Sequence, residues 1–113
     1  MPRPLFIAGV AYGSKLAAIR EASRILNAGP PGSPVEGEDI NFVEALLSAR
    51  ADKTLDLHGL NPVRYERDWQ DQRIATQRWT LCFWAVLEDG TRVDFSFMKA
   101  IDDLAEARSH SIA

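Results

Sequence analysis

The order of apolar and polar positions divides the chain into short strands and amphipathic helices. Residues 5–12 hold two apolar triplets around Ala8-Gly9, which predicts a short hairpin with glycine in its turn. Ser14 follows as a good N-cap, since its hydroxyl can accept from the first-turn amides of a helix. From there to Leu26, apolar residues recur at helical spacing and predict a first amphipathic helix.

A second helix is predicted after the loop from Gly29 to Pro34. Apolar residues at helical spacing fill positions 42–47, and the helix is expected to end near Arg50. Glu38 and Asp39 fall in its first turn, where a carboxylate complements the positive end of the helix dipole.

The strongest strand signal lies at residues 78–87, and residues 91–97 return as a second strand after Asp89-Gly90. A two-residue turn there would pair Glu88 with Thr91. Side chains alternate along a strand, so that register assigns one core face to Val86 with Val93, Trp84 with Phe95, and Cys82 with Phe97. The opposite face, with Leu81, Phe83 and Ala85, is then either covered by the N-terminal part or free to dock a protein partner.

The remaining segments complete an α+β prediction. A weaker strand is expected around Leu60–Glu66, with Pro62 at an edge or a strand start because proline cannot donate to a ladder. A polar loop is expected at 67–77, and a final helix at about Lys99–Arg108. The predicted fold is a small antiparallel sheet with a C-terminal β-hairpin, packed against two or three helices. It forms a single domain over 1–113, with its core at about 5–104 and a frayed tail at 105–113.

Composition and charge narrow the possible classes. With 113 residues, 46% apolar and 26% charged, the chain suits one globular domain. Its single cysteine, Cys82, cannot close a disulfide within the chain, so a core thiol in a reducing compartment is expected. The apolar stretch at 5–11 is too short for a signal peptide or a membrane span, which predicts a cytoplasmic protein. A net charge of −3 argues against attachment to nucleic acid by bulk charge.

Catalytic chemistry has little support in the sequence. Two histidines and one cysteine give no metal-ligand spacing, so neither a metal nor a cofactor is expected, and a binding role is favoured over catalysis. Residues 55–59, Leu-Asp-Leu-His-Gly, resemble the opening motif of the Smr domain, a family linked to nucleic-acid nicking. This resemblance implies Asp56 and His58 as an acid/base or metal pair. Asp94 with Lys99 is a second, weaker nuclease candidate.

A binding surface has better support. Tryptophans near arginines suit stacked bases of single-stranded RNA, and basic side chains suit its phosphates. The predicted nucleic-acid-binding residues are Lys15, Arg20, Arg24, Arg64, Arg73, Arg78, Trp69 and Lys99.

The chain also resembles a known family. Residues 82–101, CFWAVLEDGTRVDFSFMKAI, are similar to the signature end of the DCL (defective chloroplasts and leaves) family, and weaker similarity extends over roughly 7–103. The resemblance implies a role near ribosomal RNA maturation, and related domains are appended to large RNA-polymerase subunits. No catalytic residues come with it. A shared site would match Ser14, Lys15, Asp39, Asp94, Ser96 and Lys99, each of which also suits a cap, a turn or a hairpin hydrogen bond.

Three functional hypotheses follow. The leading one is a non-catalytic RNA-binding or ribonucleoprotein accessory domain, with a role in rRNA processing. The alternative is a protein–protein adaptor that docks on a polymerase or an assembly factor, and the negative net charge favours it. The third is a metal-dependent nuclease. The partner and the oligomeric state stay open at this level.

Overall fold

Two antiparallel sheets and four helices make up the part of the chain that the computed structural model describes, residues 4–70 and 80–110. The predicted α+β class is confirmed. In chain order the elements are β1 (Leu5–Ile7), β2 (Val10–Tyr12), α1 (Lys15–Leu26), α2 (Asp39–Ser48), α3 (Ala51–Leu55), β3 (Pro62–Gln70), β4 (Thr80–Leu87), β5 (Arg92–Phe95) and α4 (Phe97–His110).

The N-terminal hairpin and α1 form as predicted. Ala8 and Gly9 have φ angles of 54° and 80°, so both turn residues are left-handed, as a tight two-residue hairpin turn requires. The amide of Ala17 donates to Oγ of Ser14 over 3.1 Å, which confirms the N-cap of α1. β1 and β2 pair only with each other and form a separate two-stranded sheet.

The second helical region is interrupted. α2 ends at Ser48, and a short helix, α3, follows where no element was predicted. Arg50 lies between them with a buried side chain whose Nη2 donates to Oδ2 of Asp52 over 2.9 Å. α3 buries none of its residues, so it left no apolar periodicity in the sequence.

β3 is longer than predicted and extends over part of the expected polar loop. Pro62 begins this strand at the edge of the β3-β4-β5 sheet, as its missing donor requires. The main chain from Gly32 to Val35 covers the outer edge of β3. The amide of Val35 donates to the carbonyl of Tyr65 over 2.8 Å, and the amide of Arg67 donates to the carbonyl of Ser33 over 3.1 Å. The prediction that Arg67 begins a loop is wrong. Arg67 continues β3, and its buried guanidinium donates hydrogen bonds to acceptors inside the fold.

The β4–β5 hairpin forms, but its predicted register is wrong by one residue. Ala85 pairs with Val93 and Trp84 with Asp94, and the loop is the three-residue segment Glu88–Gly90. Its closing bond runs from the amide of Leu87 to the carbonyl of Thr91 over 2.8 Å. A shift of one residue turns a strand over. The core face of β4 therefore carries Phe83, Ala85 and Leu87 rather than Cys82, Trp84 and Val86.

The docking face predicted on this hairpin is therefore part of the core. Phe83 and Ala85 are completely buried, and Leu81 packs against the same cluster. Phe97, expected at the end of the second strand, instead begins α4.

α4 closes the fold. It begins two residues before the predicted Lys99, and its first turn is capped by Ser96, whose Oγ accepts from the amide of Lys99 over 3.3 Å. Ile101 is completely buried, and Ala105 is buried one residue beyond the predicted core boundary. Of the helices in residues 4–70 and 80–110, none is both long and apolar enough to cross a membrane.

The core lies between the inner face of the three-stranded sheet, β1 and the packed helices. α1 packs against α4, and β1 contacts α1, α2 and α4. The largest completely buried side chains are Phe83, Phe95, Leu5, Ile7, Ile25, Leu46, Leu87, Ile101 and Val43. This arrangement leaves β2 at the side of the molecule, beside the facing ends of α1 and α2.

Candidate functional site

The basic residues predicted on α1 do not form one patch. Lys15, at its first residue, makes an ion pair with Asp102 of α4. Arg24, nine residues further along and thus about 14 Å away, pairs with Glu21 and with Asp39 of α2. Arg20 is exposed between these two positions.

The predicted residues of β3 point in different directions. Nε of Arg64 donates to Oε2 of Glu66 over 2.9 Å on the outer face of the sheet. Trp69 stands five positions further along, so its side chain lies on the opposite face of the strand, 45% exposed. Arg73 and Arg78 lie outside the described residues.

Lys99 and the matched family positions are distributed over several elements. Lys99 is exposed at the start of α4, beside Asp102 and Asp103. Ser14 and Ser96 cap α1 and α4, as their alternative structural roles predicted. Oδ1 of Asp94 lies 3.6 Å from Nζ of Lys53 in α3. Lys15 and Lys99 both neighbour Asp102, whereas Asp39 lies beside Arg24, so the full set does not form one site.

The nuclease candidates lie in ordinary structural positions. Asp56 is the C-cap of α3, and both Asp56 and His58 are exposed. His58 has a φ of 52° and forms a left-handed turn with Gly59 that leads the chain toward β3. Within the part of the chain that the structure describes, no group of three or more His, Cys, Asp or Glu side chains could hold a metal ion.

The outer face of the three-stranded sheet is covered by its own charged side chains. The guanidinium of Arg92 lies 4.6 Å from the ring centroid of Trp84 and also pairs with Glu66 and Asp68. Cys82 is buried on this face, and burial, Asp94 and Asp68 together raise its pKa to about 12. The thiol therefore stays protonated at neutral pH and is not a nucleophile.

A concave site lies elsewhere, between the β1–β2 hairpin and the facing ends of α1 and α2. This hairpin cleft has a volume of about 380 Å³. Its apolar wall consists of Ile7, Val10, Tyr12, Ile25 and Phe42. Its charged rim consists of Glu21, Arg24, Glu38 and Asp39. Three carboxylates and one guanidinium give the rim a net charge of −2.

The geometry of the hairpin cleft is fixed by contacts between its walls. The rings of Tyr12 and Phe42 meet edge to face, with centroids 5.9 Å apart. Nη2 of Arg24 donates to Oδ1 of Asp39 over 2.9 Å and so ties α1 to α2. Burial, and then the carboxylate of Glu21, raise the pKa of Tyr12. The site is thus a preformed hollow with one apolar wall and an excess of negative charge at its edge.

Sequence reasoning named Arg24 and Asp39 but did not connect them with this cleft. Arg24 was assigned to RNA phosphates, whereas it is held between two carboxylates. The useful signal was the acidic first turn of α2 at Glu38 and Asp39, which faces a hairpin that keeps Val10 exposed.

Comparisons with known proteins match this chain to proteins without a described function. The solution NMR structure of an uncharacterized protein from Rhodospirillum rubrum superposes with a TM-score of 0.73 at 28% identity, covering 88% of this chain and 89% of that one. No match was found among curated proteins. None of these findings bears on the DCL resemblance, which stays a prediction. The family model for a protein of unknown function (DUF3223) matches residues 23–101, so the chain belongs to this family.

Proposed function

We propose that this chain is a non-catalytic adaptor domain that binds a segment of another protein in the hairpin cleft. The observation that carries the proposal is the cleft itself, a hollow of about 380 Å³ with an apolar wall and a net negative rim. Its volume lies within the range of ligand-binding clefts, and its apolar wall with a few fixed polar groups is typical of them. The DCL resemblance would make the partner part of the transcription or ribosome-assembly machinery.

The charge distribution favours a protein over a polyanion. Six cationic side chains in residues 4–70 and 80–110 make ion pairs with carboxylates, namely Lys15, Arg24, Arg50, Lys53, Arg64 and Arg92. A phosphate would have to compete with these carboxylates for each cation. We propose a cytoplasmic location as well, which suits a chain whose single cysteine is a buried, unbridged thiol.

RNA binding is the second candidate function, and the exposure of Trp69 favours it. An exposed indole at the end of β3 could stack on an unpaired base. The sequence that follows, residues 71–79, contributes Arg73 and Arg78 to the predicted set. On this hypothesis, Trp69 and the two arginines would form the contact surface.

A random-peptide display selection on the immobilised full chain tests the adaptor proposal. We expect enriched peptides that bind the wild-type chain and lose affinity for Val10→Ser, because that change removes an exposed part of the apolar wall. Val63→Ser is the matched control, since Val63 is similarly exposed (61%, against 54% for Val10) but lies on β3 and does not line the cleft. Enriched peptides that bind both variants equally would contradict the proposed site.

Fluorescence anisotropy with labelled rRNA fragments and matched DNA, at two salt concentrations, tests the second candidate. Saturable RNA binding that weakens with salt and with Trp69→Ala, together with a failed peptide selection, would replace the adaptor proposal by RNA recognition. No RNA binding even at low salt would exclude the second candidate.

A further inference from the structure

The edge of β2 carries main-chain groups that the fold does not use. In a two-residue hairpin the residues beside the turn, here Ile7 and Val10, form the hydrogen-bonded pair. The next pair, Phe6 with Ala11, is the non-hydrogen-bonded one, so the N–H and C=O of Ala11 point away from β1. Within the described part of the chain, no hydrogen bond from outside the hairpin reaches the main chain of Ala11.

The outer edges of the two sheets differ in whether another segment covers them. The outer edge of β3 is covered by the main chain of Gly32 to Val35. Within residues 4–70 and 80–110 no segment covers β2 in this way, and Val10 and Ala11 are both exposed. An exposed strand edge is a ready template for another strand.

The unused edge and the hairpin cleft are adjacent. Val10 and Tyr12 belong to β2, and their side chains line the cleft. A strand added beside β2 would pair one residue with Ala11. The two neighbours of that residue would point to the same face as Val10 and Tyr12, and therefore into the cleft.

The lining of the hairpin cleft determines which side chains fit there. The neighbour beside Val10 would meet an apolar wall. The neighbour beside Tyr12 would approach Glu21, whose carboxylate already influences the Tyr12 hydroxyl. A cationic side chain there would offset the excess of carboxylates on the rim.

We propose that β2 is extended by a third strand from a partner protein, an extended segment of the pattern apolar–any–lysine or arginine whose alternate side chains enter the hairpin cleft. This inference rests on the proposed adaptor function and specifies its ligand. Main-chain hydrogen bonds at Ala11 supply part of the affinity, and the cleft supplies the side-chain preference.

The probe is the labelled heptapeptide Thr-Lys-Thr-Val-Thr-Lys-Thr, which presents the pattern in both strand directions. Its binding to the full chain is measured by fluorescence anisotropy. We expect saturable binding that weakens about tenfold or more when glutamates replace both lysines, because the rim then repels the peptide.

Backbone methylation separates strand addition from simple attraction of charge. In an antiparallel strand the residue opposite Ala11 exchanges both hydrogen bonds with it, so N-methylation of the two threonines that flank valine removes the donor to Ala11, and we expect affinity to fall about tenfold or more. N-methylation of the two lysines is the matched control, because in the antiparallel direction their N–H groups point away from β2 and affinity should change by less than about twofold. In the parallel direction the two methylated peptides exchange these outcomes. Hydrogen exchange followed by NMR should also show that bound peptide protects the Ala11 amide.

A variant of the chain tests the same bond from the other side. Ala11→Pro removes the edge N–H, and proline is tolerated at an edge position whose N–H makes no bond within the sheet. We expect this variant to keep the wild-type circular dichroism spectrum and to lose the heptapeptide. If the two methylated peptides bind alike and the Ala11 amide stays unprotected, strand addition is wrong. The peptide-display result then shows independently whether the adaptor proposal survives.

Discussion

Arg67 joins three parts of the fold that are distant in sequence. Its Nε donates to the carbonyl of Ile25, in the last turn of α1, over 3.1 Å. Its Nη1 donates to Oγ of Ser33 over 2.8 Å and to the carbonyl of Pro34 over 3.1 Å. The C-terminal end of a helix carries partial negative charge, so this location suits a buried cation. Gly29 leaves the room required, since a Cβ there would lie 2.5 Å from Nη1.

Replacing this side chain should destabilise the protein strongly. Arg67→Met keeps much of the apolar stem but removes three hydrogen bonds, and we expect the free energy of unfolding to fall by about 2–4 kcal/mol. Urea denaturation measures the change. Arg64→Met is the control, because that arginine makes only an exposed pair with Glu66 and should cost less than about 1 kcal/mol. Equal losses in the two variants would contradict the anchoring role of Arg67.

Single residues differ in how far the sequence reveals their roles. Ser14 could be recognised as a cap because capping depends on local spacing. Arg67 could not be recognised, because charged residues are usually exposed and its three acceptors lie 33 to 42 positions away in the chain. The predicted strand therefore ends at Glu66, whereas β3 continues to Gln70.

At the level of elements, the position of the β4–β5 turn was predicted correctly, but the register of the two strands was not. Asp89-Gly90 suits a two-residue turn, but a three-residue loop with a left-handed glycine at its end uses the same residues. Alternation along β4 could not decide, because Cys82, Trp84 and Val86 on one face are as apolar as the residues of the other. The sequence thus predicted the hairpin but not the face that it buries.

The conformation of Gly90 gives a test of this loop. Its φ is 89°, and Gly90→Ala should lower the free energy of unfolding by about 1–2 kcal/mol, because an L-residue is disfavoured there. Space is not the cause, since an added Cβ meets no atom within 4 Å. Gly13→Ala is the matched control, with equal space and without a positive φ. Similar denaturation midpoints for both variants would contradict the three-residue loop.

The hairpin cleft lay beyond sequence reasoning for a different reason. Its walls come from three elements whose relative placement depends on the core, so no local pattern indicates it. The hairpin and α1 were both predicted, and α2 nearly so. Only their packing brings Val10 next to Asp39 and Glu21.

At the scale of the whole molecule, two buried acids link stability to alkaline pH. Burial raises the pKa of Tyr65 to about 12 from its ordinary value of 10, and that of Cys82 to about 12 from 9. Both groups stay protonated in the folded chain over a range where the unfolded chain releases its protons. A raised folded pKa means that stability is complete below the unfolded value and declines as pH rises toward the folded one.

We therefore expect the urea midpoint to decline from about pH 9 toward pH 12. In Cys82→Ala the decline should begin about one pH unit later, near the ordinary pKa of Tyr65. The comparison uses the shape of each pH curve, so a uniform loss of stability in the variant does not affect it. Identical curves for the two proteins would show that the thiol does not contribute.

The packing of α1 against α4 also has a consequence for how the protein is made. The first helix packs against α4, near the end of the described chain. A ribosome delivers α1 long before α4, so α1, whose Ala18, Ala22 and Ile25 are buried in the finished fold, emerges before one of the elements that it packs against. Closing this contact spans most of the chain and carries the entropy cost of a long loop. During synthesis α1 therefore lacks its contact with α4 until α4 has left the ribosome.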